Sequence, residues 1–158
     1  MGVTHYVIND VLRIWDSPGL GDGMVRDKNH ERSITNNLCK TYTHDDRKWG
    51  FIDLVIVILD GSSRDMGTTY RLLEQVILKN IQSDRVIVAI NKADMAMSGR
   101  SWNTLANKPQ EKLLKFLENK SSSVKSRLYE ATSLKIKSPV YYSDEKNYNL
   151  NCFMDSII

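Results

Sequence analysis

Cysteine and histidine are scarce in this chain of 158 residues, and their scarcity excludes two classes of site. Cys39 and Cys152 lie far apart without a C-x-x-C spacing, so the sequence predicts two reduced thiols and not a disulfide framework or a zinc site. His5 and His30 have no neighbours that would complete a catalytic triad, and His44 stands in a polar stretch typical of a hydrated loop. We therefore assign no catalytic residue.

Long hydrophobic runs are also missing. The longest, residues 54–59, is far shorter than the roughly 20 residues that cross a bilayer. The N-terminus lacks the basic and apolar progression of a signal peptide, so we expect a cytoplasmic protein with no membrane partner. The net charge of +3 comes from dispersed lysines. Such a charge permits contact with RNA, a ribosome or another protein, but it does not favour readout of a DNA sequence.

The apolar residues that are present fall into short runs typical of strands. Residues 6–8 and 11–15 predict a β-hairpin with a tight turn. The β-branched runs at 53–59 and 86–90 are typical of strands that are buried on both faces of a sheet. Residues 139–142 predict a last strand.

Helical patterns lie between these strands. We expect a mobile loop at 19–28, which is rich in Gly and Asp, and a helix at 29–41. After the first buried strand an apolar stripe has helical spacing, and it consists of Leu73, Val76, Ile77 and Ile81.

Pro109 opens a further helix whose leucines face inward. The serines at 121–123 interrupt that helix, and its lysines, including Lys120, are expected on a solvated face. A final helix begins at about residue 149. Buried strands that alternate with helices predict an α/β fold with a mostly parallel sheet.

Asp16-Ser17-Pro18-Gly19 follows the second strand of the hairpin and has the form D-x-P-G. Asp16, at the strand end, can hold Mg²⁺ through water, because magnesium keeps much of its hydration shell. Pro18 stiffens the turn, and Gly19 lets a backbone N–H approach a terminal phosphate because it has no Cβ. A plain turn is the alternative interpretation, since Asp, Pro and Gly are common turn residues.

Asn91-Lys92-Ala93-Asp94 follows the strand at 86–90 and has the form N-K-x-D. Asp94 is placed to accept hydrogen bonds from N1–H and the 2-amino group of guanine, a charge-assisted pair that adenine cannot offer. Asn91 can contact the O6/N7 edge or brace neighbouring loops, and the Lys92 stem can lie along the base plane. The alternative is a polar turn that caps the next helix. Ligands of open α/β sheets bind beyond the carboxyl ends of the strands, where both motifs are found.

With these two motifs in this order, nearly the whole chain resembles the Era/MnmE-type branch of the Ras-like P-loop GTPases. Within that branch it is similar to small, prophage-associated bacterial GTP-binding proteins. The resemblance implies a Ras-like G domain, a three-layer α/β sandwich that binds GTP or GDP with Mg²⁺. It also implies that Ser143 belongs to the short loop that contacts guanine. Leu20 occupies the place of the water-positioning Gln, as in the branch with a hydrophobic residue there.

One part of that family's site is missing from the sequence, which contains no glycine-rich loop of the form G-x-x-x-x-G-K-[ST]. In the family, that loop joins the first strand to the first helix, and its N–H groups and lysine hold the phosphates. By resemblance, residues 1–158 form an incomplete G domain that runs from strand 2 to the start of the last helix. Loss of the central strand would leave backbone groups of its two neighbours unpaired, at about 1–3 kcal/mol for each buried group, or the neighbours would close up and displace the motifs. We therefore expect an unstable product, or a fragment of a longer reading frame.

Three hypotheses follow for the function. The first is a GTP-binding protein whose hydrolysis is weak or absent because the phosphate loop is missing. The second is a non-enzymatic module that binds a protein or RNA through residues 19–48. The third is the remnant of a pseudogene.

Overall fold

The computed structural model describes residues 4–17, 24–63 and 66–157, and the chain forms two units. The first unit comprises Met1–Asp53 and Thr68–Ile81, and the second comprises Leu54–Gly67 and Gln82–Ile158. Helices alternate with strands, and a sheet of three parallel strands confirms the predicted α/β class. Within the described ranges, no helix has the length and apolar character that crossing a membrane requires.

In the first unit, the predicted hairpin is confirmed. Strand β1 (Thr4–Val7) pairs antiparallel with β2 (Arg13–Asp16). The connection is longer than the expected tight turn, because Asn9 organises it with its side chain. Asn9 Oδ1 accepts hydrogen bonds from the backbone N–H groups of Val11 at 3.0 Å and Leu12 at 2.8 Å. Asn side chains commonly act in this way as acceptors for the backbone of a turn.

Helix α1 (Met24–Cys39) begins earlier than the helix that we predicted at 29–41. The prediction of a loop was therefore wrong for residues 24–28. Asp27 lies in the first turn of α1, where an acidic side chain is favourable beside the free backbone N–H groups.

A second hairpin follows α1, where we had expected only a hydrated loop around His44. Strand β3 (Thr41–His44) pairs antiparallel with β4 (Arg47–Gly50). Asp45 and Asp46 form the turn with positive φ angles of 51° and 57°. Asp adopts this left-handed backbone more readily than most residues, which explains why two aspartates can turn the chain here.

The predicted helix around Leu73 is confirmed, but it has three parts. Helix α2 (Gly67–Leu72) continues into a π-helical segment (Leu73–Ile77) and then into α3 (Leu78–Asn80). Ile81 has an extended backbone with φ of −141°, so it lies beyond the helix. The other three residues of the stripe are buried as predicted, namely Leu73, Val76 and Ile77.

The second unit is built on the parallel sheet, in which β6 (Val86–Asn91) lies between β5 (Val55–Asp60) and the short last strand β9 (Val140–Tyr141). Strand β6 is buried from Val86 to Ile90, as predicted. The same prediction was wrong for β5, where the exposed fractions of Ile56 and Ile58 are 39% and 55%. Among the described strands β5 pairs with β6 alone, so it is an outer strand of this sheet.

The long helix α4 (Glu111–Thr132) is continuous through residues 121–123, so the predicted interruption was wrong. The reason is a buried contact in which Ser121 Oγ donates a hydrogen bond to the Pro139 carbonyl at 2.7 Å. A serine that is satisfied in this way need not break the helix. The last helix, α5 (Leu150–Ile157), is confirmed close to the predicted start. Two very short strands precede α4, namely β7 (Trp102–Asn103) and β8 (Lys108–Pro109).

Candidate functional site

The carboxyl ends of β5, β6 and β9 lie side by side because these strands are parallel and in register. Asp60 is opposite Asn91 at the last position of the β5–β6 pairing. The chain after β6 is tied to the chain after β9, since the Ala93 N–H donates to the Tyr142 carbonyl at 3.0 Å. Loops at this edge of an α/β sheet commonly carry the ligand site.

Gly61 makes the close approach of the first two loops possible. Its N–H donates to the Asn91 carbonyl at 2.7 Å. A Cβ at this position would stand 2.7 Å from the same carbonyl oxygen and 3.0 Å from that of Lys92. Both neighbours are backbone atoms and cannot rotate away, so this position requires glycine.

Asn91 braces the loops around it, which is one of the two roles that the sequence left open. Its Oδ1 accepts hydrogen bonds from the backbone N–H groups of Lys92 at 2.6 Å and Asp144 at 3.3 Å. The side chain at the end of β6 therefore connects the N-K-x-D turn to the loop that follows β9.

Asp94 and Ser143, both predicted as site residues, are in direct contact. Ser143 Oγ donates to Asp94 Oδ1 at 2.6 Å. Only 4% of the Asp94 surface is exposed, and Ser143 is fully buried. A hydrogen bond to an ionised carboxylate is stronger than a neutral one, and it is strengthened further by burial. The contact fixes the orientation of the Asp94 carboxylate.

The loop after β9 is closed on itself, which holds Ser143 in place. The N–H of Ser143 donates to the Tyr148 carbonyl at 3.0 Å, and the N–H of Tyr148 donates back to the Ser143 carbonyl at 2.9 Å. Ser143 Oγ also accepts a hydrogen bond from the Lys146 N–H at 3.1 Å. The serine hydroxyl thus links this loop to the Asp94 carboxylate.

Asp60 was not among the predicted site residues, yet it contacts one of them. The Lys92 ammonium group lies 2.7 Å from Asp60 Oδ2. Partial burial alone would raise the pKa of Asp60, but hydrogen bonds from Lys92 and from Ser62 outweigh it and lower this pKa to about 2. The hydrogen bond to Asp60 raises the pKa of Lys92. Asp60 directly follows a predicted strand. The criterion that selected Asp16 and Asn91, a polar residue at the carboxyl end of a strand, therefore also applies to Asp60.

Lys120 of α4 was predicted to lie on a solvated helix face, and this was wrong. Its ammonium group donates hydrogen bonds to the Gly61 carbonyl at 2.8 Å and the Ser63 carbonyl at 2.9 Å. Burial lowers the pKa of Lys120. The lysine therefore holds the turn that follows β5.

The other predicted motif lies in the first unit. Asp16 is exposed at the end of β2, where it pairs with Thr4. Pro18 and Gly19 lie outside the described residues, and so does Leu20. The described part of the chain contains no group of three or more His, Cys, Asp or Glu side chains arranged to hold a metal ion.

Asn91, Lys92, Asp94 and Ser143 thus form a cluster of residues at the end of the parallel sheet. Within it Ser143 binds Asp94, while Lys92 binds Asp60 and Asn91 accepts from the backbone of the loop after β9. The cluster offers carboxylate and amide groups, which can recognise the edge of a flat polar ligand. Comparison with protein-family models, with curated proteins and with solved structures gave no match.

Proposed function

We propose that this chain binds guanine nucleotides, as a member of the Era/MnmE-like class of P-loop GTPases with a Ras-like three-layer α/β fold. The observation that carries the proposal is the Asp94–Ser143 contact between the loops after β6 and β9. By the resemblance, guanine is read by a carboxylate after one strand and by the short loop after the last strand, and Asp94 and Ser143 lie at these two places.

In this proposal each residue of the N-K-x-D motif except Ala93 has its own role in binding guanine. Asp94 accepts from N1–H and the 2-amino group of guanine, and the Ser143 hydroxyl orients the carboxylate for this purpose. Asn91 braces the two loops through its Oδ1, while its amide N–H groups are suited to the O6/N7 edge. The stem of Lys92 lies along the plane of the base.

The resemblance assigns the phosphate contacts to the D-x-P-G motif, which belongs to the first unit. Asp16 would hold Mg²⁺ through water, and Pro18 and Gly19 would shape the turn at the terminal phosphate. Magnesium would supply charge compensation for the phosphates when bound. The sequence has no phosphate-loop motif, so we assign no catalytic residue and expect weak or absent hydrolysis of GTP.

Isothermal titration with GDP, GTP, ATP and xanthosine diphosphate tests the proposal. The wild-type protein should bind GDP and GTP in preference to ATP. Asp94→Asn should weaken GDP binding by about 10- to 100-fold, because a hydrogen bond to a charged group contributes about 1.5–3 kcal/mol. The same variant should gain affinity for xanthosine diphosphate, since an amide can accept from N1–H and donate to the 2-oxo group.

Asp84→Asn is a matched control, because Asp84 is an exposed residue in the turn just before the opposite end of β6. It should leave all four affinities unchanged. A wild-type protein without preference for GDP over ATP would contradict the proposal. That result would favour the interaction module for protein or RNA, or the pseudogene remnant.

A further inference from the structure

The ammonium group of Lys120, on α4, holds the turn after β5. Lys120 donates to the carbonyls of Gly61 and Ser63, so two backbone acceptors of the turn converge on one ammonium group. Leu117 and Ser121, next to Lys120 on α4, are buried, which makes this part of the helix a rigid support. An ammonium group has three donors and can satisfy several carbonyls at once.

The turn that Lys120 holds also fixes the orientation of the Asp60 carboxylate. The backbone N–H and the hydroxyl of Ser62 both donate to Asp60 Oδ1, at 2.8 Å and 2.5 Å. Asp60 Oδ2 accepts from the Lys92 ammonium group at 2.7 Å. One oxygen is thus used to hold the turn, and the other is directed at Lys92.

Lys92 is restrained at both its backbone and its side chain. Its backbone is left-handed, with φ of 57° and ψ of 41°, a conformation that residues with a Cβ rarely adopt. Its N–H is bonded to Asn91 Oδ1, and its ammonium group is bonded to Asp60. A lysine side chain that is ordered before a ligand arrives loses less entropy when the ligand binds.

We propose that Asp60 and Lys120 are positioning residues for nucleotide binding. Lys120 holds the turn after β5, Asp60 is carried by that turn, and Asp60 keeps the Lys92 stem in place at the rim of the base site. This inference rests on the proposed function. A surface ion pair that serves only the fold is the competing interpretation, and it would affect stability without affecting affinity.

A double-mutant cycle on GDP affinity separates the two interpretations. Asp60→Asn should weaken GDP binding by about 2- to 12-fold, the equivalent of about 0.5–1.5 kcal/mol for one side chain ordered in advance. Asp60→Glu should restore part of the affinity, because it keeps the carboxylate. In a Lys92→Met background, Asp60→Asn should have no further effect, because the group that Asp60 holds is gone.

Lys120 is tested in the same titration. Lys120→Met should weaken GDP binding in the same direction as Asp60→Asn, and Lys120→Arg should retain most of the affinity because it can still donate to the carbonyls. The ratio of GDP to inosine diphosphate affinity should stay constant in all of these variants. The Lys92 stem contacts the face of the base and does not read its 2-amino group, so only changes at Asp94 should alter that ratio.

The outcomes distinguish this inference from the proposed function. GDP binding by the wild type, combined with unchanged affinity in Asp60→Asn and Lys120→Met, would overturn the positioning role and leave guanine binding intact. Additive effects of Asp60→Asn and Lys92→Met would overturn it as well. A wild-type protein that does not prefer GDP to ATP would overturn both proposals.

Discussion

Strands β5 and β6, VIVILD and VIVAIN, share their first three residues and pair in register, yet their surroundings differ. All apolar residues of β6 are buried, whereas β5 exposes Ile56 and Ile58 on one face. Strand β6 has a partner on each side and β5 has one partner among the described strands. Composition therefore identifies a strand, but its position in the sheet decides how much of it is buried.

The largest expected change in the free energy of unfolding is tested by an Ile→Ala substitution at each of two paired positions. Ile56 and Ile87 are direct partners in the sheet, with exposed fractions of 39% and 3%. Ile87→Ala should lower the free energy of unfolding by about 3 kcal/mol because it leaves a cavity. Ile56→Ala should lower it by roughly 1 kcal/mol because its side chain is already partly in water. Urea denaturation of both variants measures the difference, and equal losses would contradict the comparison.

A smaller effect is expected where the chain leaves β5 and touches the end of β6. Gly61→Ala should lower the free energy of unfolding by about 1–3 kcal/mol, because the new Cβ overlaps the carbonyl oxygens of Asn91 and Lys92. Gly99→Ala is the control, since its nearest neighbour is Met95 Sδ at 3.9 Å and only its φ of 72° is unfavourable. That backbone strain costs roughly 1 kcal/mol. Thermal unfolding that shows a larger loss for Gly99→Ala would refute the crowding argument.

The smallest effect concerns the ion pair between the two strand ends. The pKa of Asp60 is lowered from 3.8 to about 2, so the pair stabilises the protein above pH 3.8 and loses this contribution as the pH falls towards 2. Asp60 and Lys92 are 38% and 54% exposed at their side chains, so solvent screening limits the contribution to about 1 kcal/mol or less. The stability difference between wild type and Asp60→Asn should therefore shrink from pH 5 to pH 2.5. A difference that does not change with pH would rule out this role of the ion pair.

The sequence predicted the strands from their buried runs, and it placed Asp94 after one strand and, by resemblance, Ser143 in the loop after another. It did not predict that the two side chains are hydrogen-bonded to each other. It did not predict the Lys120 contact, since a lysine on a helix has the same local pattern whether it meets water or a distant carbonyl. The continuity of α4 through residues 121–123 was missed for a similar reason. The acceptor for Ser121 is the Pro139 carbonyl, which is distant in sequence and brought near only by the fold. Local patterns contain no information about such partners.

The fluorescence of Trp102 can report on the loop after β9. Its indole N–H is buried and finds no hydrogen-bond partner among the described residues, and its ring meets Tyr148 edge-on at 5.3 Å. An indole in such surroundings emits at shorter wavelength than one in water, whereas 46% of Trp49 is exposed. Tyr148 is paired with Ser143, which contacts Asp94. A ligand that moves the Asp94 carboxylate is therefore expected to change the emission of Trp102, which can be measured without an added label.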